Sequence, residues 1–402
     1  MALTTHTSGM DIGEIHAALA PAREQLRSRD GQIVRAQVEL AQIPAPTGDE
    51  AQRGMAVAAR FVEAGLEDVC ADGVGNILGV RRGTDPTLAP VVLCAHLDTV
   101  FPHGTPLEVR REGSRLVGPG IGDNGRGLAV MVALAGAIDG STVRTRRPLL
   151  FAATVGEEGA GDLRGARALF AGAGARAHAA IALDGAGDQR IVHDALGARR
   201  IRVTFRGPGG HSWAAFGVSN PVHAAAATAA RLSDLSLPVT PRTTLSVTRI
   251  GGGLSVNAIP EEAWLEVDLR STSEAVLARY AREISTVARS CAEREDARRA
   301  HATPTLGLTI EVIGDRPCGT VPTDHPLVTA AFSATRLVGR TPSSATASTD
   351  ANVPIGLGIP AVAIGAGGRG GAAHTVGEWF DNVDGTVGVA RALTLAVAAA
   401  AS

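Results

Sequence analysis

The chain contains no lysine: its 402 residues include 38 Lys+Arg, and every one of them is arginine. Schiff-base chemistry on a lysine, a P-loop lysine and a Ser-Lys dyad are thereby excluded. Paired cysteines are absent too. Cys70, Cys94, Cys291 and Cys318 are widely spaced with no C-x-x-C pattern, which reads as free thiols in a reducing cytoplasm. No run is long and apolar enough to span a membrane, and Met1 to Asp30 lacks the apolar segment of a signal peptide. A formal net charge of −2 argues against a nucleic-acid partner, whose phosphates need a basic face. At this length one ordinary core is too small, so two domains are expected.

What is present is organised around Val91 to Val100, VVLCAHLDTV. Apolar residues run into His96, and Asp98 follows at the next position on the same strand face. Such a pair suits a metal-binding imidazole oriented by a carboxylate, although alone it equally fits a hydrogen-bonded core histidine. Further apolar runs end in the same way. Leu149 to Val155 leads to Glu157-Glu158, Ala179 to Leu183 to Asp184, and Ala361 to Ile364 to the glycine-rich stretch before His374. Adjacent carboxylates at a strand end repel unless a cation or shared proton compensates them. Ligands gather at the carboxyl ends of strands in open α/β sheets, and two histidines with at least three carboxylates there suit a pair of ions.

The segment around Gly120, Gly122 and Gly125 permits a second reading. It satisfies G-x-G-x-x-G ahead of an apolar helix, with Asp139 at a distance suited to a ribose, so a dinucleotide-binding oxidoreductase stands as an alternative. Against it, Asp123 sits inside the turn, where it would face a pyrophosphate.

Elsewhere, residues before about Asp30 read as a polar or loosely helical leader. Ile33, Ala36, Leu40 and Ile43 follow helical spacing up to Pro44, and Thr47 with Glu50 reads as a capping box for a helix to about Ala64. Strands fit Ile77 to Arg81, and a hairpin fits Leu107 to Val117. From Arg199 to Ile313 the periodicities give β-α-β-β-α-β, a ferredoxin-like unit.

Taken in order, these blocks resemble the dinuclear zinc aminoacylase, glutamate carboxypeptidase and succinyl-diaminopimelate desuccinylase metallopeptidase family. Asp123-Asn124-Gly125-Arg126-Gly127 is closest to its peptidase T-like subgroup. The resemblance implies an α/β catalytic domain with a mixed central sheet, formed by residues 1–196 and 316–402. An inserted ferredoxin-like dimerisation or lid domain spans 197–315. It also implies two divalent metal ions per chain, with zinc expected and cobalt or manganese also suited to such ligands. One ion falls to His96 and Asp184, the other to Glu158 and His374, and Asp123 bridges them. Asp98 orients His96, and Glu157 is the general base. The Asp123-Asn124 peptide bond is a candidate for the cis form.

From the inserted domain the resemblance adds His211, reaching the oxyanion across a homodimer, with Asn257 and Arg270 holding a substrate carboxylate. Arg270 also fits an ion pair with Glu266 or Asp268. Asp350, in a loop similar to a substrate-side loop of the subgroup, is a further substrate contact, although Ser348 or Thr349 could equally cap a helix there. The implied activity is hydrolysis of an amide in a small peptide or N-acyl amino acid, without a covalent intermediate. A catalytically silent binding relative is the non-enzyme alternative.

Overall fold

The structure is a computed structural model that describes residues 4–300 and 303–401. Its contacts divide the chain into two units, Met1–Ala195 with Thr320–Ser402, and Leu196–Gly319.

The first unit is built on a mixed sheet. Four strands at its centre, Ala361–Ile364, Ala179–Leu183, Val91–His96 and Leu149–Thr154, are adjacent and mutually parallel. Their side chains are buried throughout, as expected when helices cover both faces of a parallel sheet. Antiparallel strands flank them: Arg190–Ala195 on one side, Ile77–Arg81 and then Glu67–Ala71 on the other. The last central strand in sequence, Ala361–Ile364, is inserted between Ala179–Leu183 and Arg190–Ala195. His96 pairs in register with Thr154, and Ile364 with Leu183, so the carboxyl ends of all four strands form one rim.

Two local expectations are corrected here. The leader is part of the core: helices Ile12–Ala18 and Ala20–Ser28 bury Ile15, Leu19, Ala22 and Leu26. Thr47 and Glu50 do not form a capping box. The helix Ala51–Glu63 has no side-chain cap, because both residues are used elsewhere. Thr47 Oγ1 donates to Asp98 Oδ2 at 2.8 Å, and Glu50 accepts the Gly48 and Gly156 amides while pairing with Arg164 at 3.2 Å. Buried guanidinium groups also fasten this unit. Arg53, Arg126 and Arg391 are each almost wholly buried and donate to backbone carbonyl oxygens. Burial draws all three down to a pKa of about 10, still well above neutrality, so each stays charged.

The second unit is a four-stranded antiparallel sheet in the order Thr243–Gly252, Glu262–Ser271, Gly197–Arg206, Gly307–Arg316. Two helices, Pro221–Ser233 and Glu274–Asp296, pack on it through one apolar cluster. The order is that of a ferredoxin-like fold, with the first strand in sequence placed between the third and fourth. No described helix of the chain is long and apolar enough to cross a membrane.

Candidate metal centre

Each strand of the rim delivers a side chain for a reason visible in its backbone. His96 is the last residue of its strand and is buried. Its Nδ1 lies 3.1 Å from the Asp98 carbonyl oxygen and 3.5 Å from Asp98 Oδ1, which leaves Nε2 facing Asp123 Oδ1 at 3.0 Å. The Asp98 carboxylate is fully buried and ties two strand ends together, since Oδ1 accepts the Glu157 amide and Oδ2 the Glu158 amide, each at 2.9 Å. This fixes the direction in which Glu157 and Glu158 leave the neighbouring strand.

Asp123 occupies the middle. Its second oxygen, Oδ2, is 3.2 Å from His374 Nε2, and that nitrogen is also 2.9 Å from Glu158 Oε1. One carboxylate therefore faces a histidine on each side. The Asp123-Asn124 peptide bond is cis. Asn124 then anchors the turn to the strand that carries Asp184: its amide donates to the Leu183 carbonyl at 2.8 Å, and its oxygen accepts the Gly185 and Gly127 amides. Gly127 is needed here, because a Cβ would lie 2.6 Å from the Leu183 carbonyl oxygen.

Three groups of donor atoms result, in each of which all atoms lie within 4.8 Å of one another. They are His96 with Asp123 and Asp184, Asp123 with Glu158 and His374, and His96 with Glu157 and Glu158. The charge balance of these groups is strained toward cations. Burial, then the Asp123 charge, pushes Asp184 up to about 7, and burial raises Glu158 as well. Burial also works against ionised Asp123, but hydrogen bonds from His374 and His96 outweigh it and hold this carboxyl well below the usual range. His374 rises to about 9, chiefly through its hydrogen bond to Asp123. Crowded carboxylates whose protonation is driven upward, interleaved with imidazole nitrogens, form a donor set suited to divalent ions of the zinc, cobalt or manganese kind.

One residue of the site was missed by sequence reasoning. Glu378, buried, accepts the Gly122 and Asp123 amides at 2.7 Å and the Gly120 amide at 2.9 Å. It holds the glycine turn from within, and burial raises its pKa to about 7. This corrects the dinucleotide alternative, because the amides that would cradle a pyrophosphate already bind a carboxylate of the chain itself. The only local signal was its position four residues after His374.

The remaining candidates are not among these donor atoms. Asp350 is only 3% exposed and accepts from Thr154 Oγ1 at 2.5 Å, beneath the strand ends. Thr349, through its hydroxyl and amide, closes the adjoining turn with Ala351 and Asn352. His211, Asn257 and Arg270 belong to the second unit. His211 and Asn257 sit on one exposed ribbon, joined by a 2.9 Å bond from the Ser212 amide to the Asn257 carbonyl. Arg270 Nε is 2.7 Å from Asp268 Oδ2, the ion pair that its sequence neighbourhood allowed.

The description "Peptidase family M20/M25/M40" matches residues 92–399 of the chain. Among solved structures, aminopeptidase PepT from Bacillus cereus is 23% identical with a TM-score of 0.73, covering 92% of this chain and 98% of that one. A tripeptidase from Staphylococcus aureus is 22% identical with a TM-score of 0.76 over the same shares, 92% and 98%. A dinuclear metal-binding M20 peptidase from Bacillus subtilis is 16% identical, with a TM-score of 0.67 over 92% of this chain and 98% of that one. At these identities the likeness carries the fold alone. No protein of curated function matches by sequence.

Proposed function

Because this chain belongs to peptidase family M20/M25/M40 and is a metal-dependent hydrolase, we propose that it cleaves an amide bond in a small peptide or N-acyl amino acid, using two divalent ions and a glutamate base. The observation that carries the proposal is Asp123, whose two oxygens face His96 and His374 on opposite sides. His96 and Asp184 would hold one ion, Glu158 and His374 the other, with Asp123 shared between them. When bound, such ions bring the acidity of a water toward neutrality and polarise a carbonyl oxygen.

The chain's own residues would do the rest. Glu157, only 5% exposed and aimed by the hydrogen bond from its amide to Asp98, takes the proton of the attacking water and passes it to the departing amine. Asp98 keeps His96 Nδ1 engaged, so that Nε2 stays directed at the centre. His211 is proposed as a donor to the developing oxyanion from a partner subunit, and Asn257 and Arg270 as groups that hold a substrate carboxylate. These three roles, the homodimer and zinc as the metal rest on the resemblance of their sequence blocks.

The test is metal content per chain on protein purified without chelator, with amide cleavage measured before and after EDTA. Two ions per chain and EDTA-sensitive cleavage are expected. Glu157→Gln should keep the metal and lower kcat by roughly 10²- to 10⁴-fold. A variant that keeps most of its activity removes Glu157 as the base, and a chain that takes up no metal removes the mechanism.

A further inference from the structure

A cleft of about 770 Å³ opens beside Asp123 and Asp184. Much of its wall is backbone. Gly185 and Gly187 hold positive φ of 67° and 112°, and a Cβ at either would meet nothing within 4 Å, so both face open space. Apart from Trp379, the larger side chains of the lining are polar or charged, so selection there falls largely to the charged ones. Most of these are already committed. Asp123 and Asp184 belong to the donor groups, Glu378 is filled by three amides, and Asp188 is held by Arg340 at 2.7 Å.

Two charges remain, Arg190 and Arg369. Both side chains are exposed, both line the cleft, and neither makes a hydrogen bond or ion pair among the described residues. Four other arginines of this unit, by contrast, are engaged: Arg340 also meets Asp384, Arg115 lies 4.0 Å from the centre of the Trp379 ring, and Arg126 and Arg391 are buried on carbonyls. The backbones of the two free ones are pinned. Arg190 begins the strand Arg190–Ala195, opposite Ser343, and Arg369 begins Arg369–Gly371, opposite Asp381. Arg190 lines the same cleft as Asp123 and Asp184 of the donor groups.

We propose that Arg190 and Arg369 are specificity-determining residues that receive a carboxylate of the substrate. This rests on the amide-hydrolase reading above and narrows it to acidic small peptides or acidic N-acyl amino acids. A guanidinium offers parallel N–H donors matched to a carboxylate, and a neutral amide isostere can accept only part of that set. Two such groups on one wall also repel a cationic side chain.

The test uses matched acidic and amide substrates in two arms, Glu-Gly against Gln-Gly and Gly-Glu against Gly-Gln, so that the side of the amide supplying the carboxylate is read directly. The acidic member of at least one arm should have a kcat/KM roughly tenfold or more above its isostere. In the double variant Arg190→Gln with Arg369→Gln that ratio should fall toward one, and Arg190→Glu should shift preference toward Gly-Arg. Calorimetric titration with glutarate and with neutral glutaramide gives a readout independent of turnover. Glutarate should bind the native protein more tightly, and the double variant should lose that difference. An acidic-to-amide ratio unchanged by the double variant overturns the proposal, as does preference for the neutral member. If no pair is cut while glutarate still binds in an arginine-dependent way, the hydrolase reading of these substrates fails and the anion site stands. If glutarate shows no arginine dependence, the anion site fails whatever is cut.

Discussion

In the first unit every side chain from Val91 to His96 and from Leu149 to Thr154 is buried, whereas Glu262–Ser271 in the second alternates buried and partly exposed residues along its length. The parallel sheet, covered on both faces, has nowhere to place a reactive group except at strand ends, and its polar chemistry is concentrated there. The antiparallel sheet keeps one face free and spreads its polar groups over it. Arg202 and Arg249 both pair with Glu266, at 2.7 and 2.9 Å, and both lie over the Trp264 ring. Enclosure therefore goes with a focused site, and a half-open sheet goes with a distributed polar surface.

That contrast can be broken most forcefully in the two cores. Leu93→Ala and Leu265→Ala each remove a fully buried side chain and should each cost about 2–5 kcal/mol in thermal or denaturant unfolding. Only Leu93→Ala should also weaken metal retention, because it loosens the strand that carries His96; equal effects of both variants on bound metal would erase the distinction between the units. A smaller effect is expected from Glu378→Gln. The amide keeps one acceptor but turns a donor toward a backbone N–H, which should shift the Asp123 turn and lower metal affinity by about 10- to 100-fold in chelator competition. Unchanged affinity would show that the glycine turn holds its shape without the carboxylate. Smallest is Arg249→Ala on the open face, which should change stability by about 1 kcal/mol or less, since exposed ion pairs contribute little. A loss comparable to that of Leu265→Ala would mean that this face is buried in the working molecule.

The site strands were legible because a parallel strand buried on both faces leaves an uninterrupted apolar run, and the run stops where the chemistry begins. The same physics made Val91–His96, Ala179–Leu183 and Ala361–Ile364 readable to within a residue. The ferredoxin-like order was readable from alternation, as in Glu262–Ser271. For Ile12–Ser28, read as a polar or loosely helical leader, what was not readable was its burial in the core. Its buried positions Ile15, Leu19, Ala22 and Leu26 do follow helical spacing, but a break at Leu19 and a proline at Pro21 divide them into pieces too short to carry a periodic signal. Thr47 and Glu378 escaped for another reason. A side chain that bonds across the fold, as Glu378 does to Gly120, leaves no mark on its sequence neighbours. Local reasoning assigned Thr47 to a cap because that is what its neighbours alone would favour.

The position of Ala361–Ile364 between strands from far earlier in the chain carries a consequence for assembly in time. A polypeptide emerging from its amino terminus would present His96, Asp123, Glu158 and Asp184 well before the strand that leads to His374 exists. Until that strand slots into the middle of the sheet, the carboxylates have no second histidine, and Asp188 and Arg190 have no closed sheet edge beside them. Filling of the proposed centre would thus be a late event, coupled to a pairing between strands far apart in the chain and expected to be slow for that reason. Metal uptake during refolding would then act as a clock for completion of the fold.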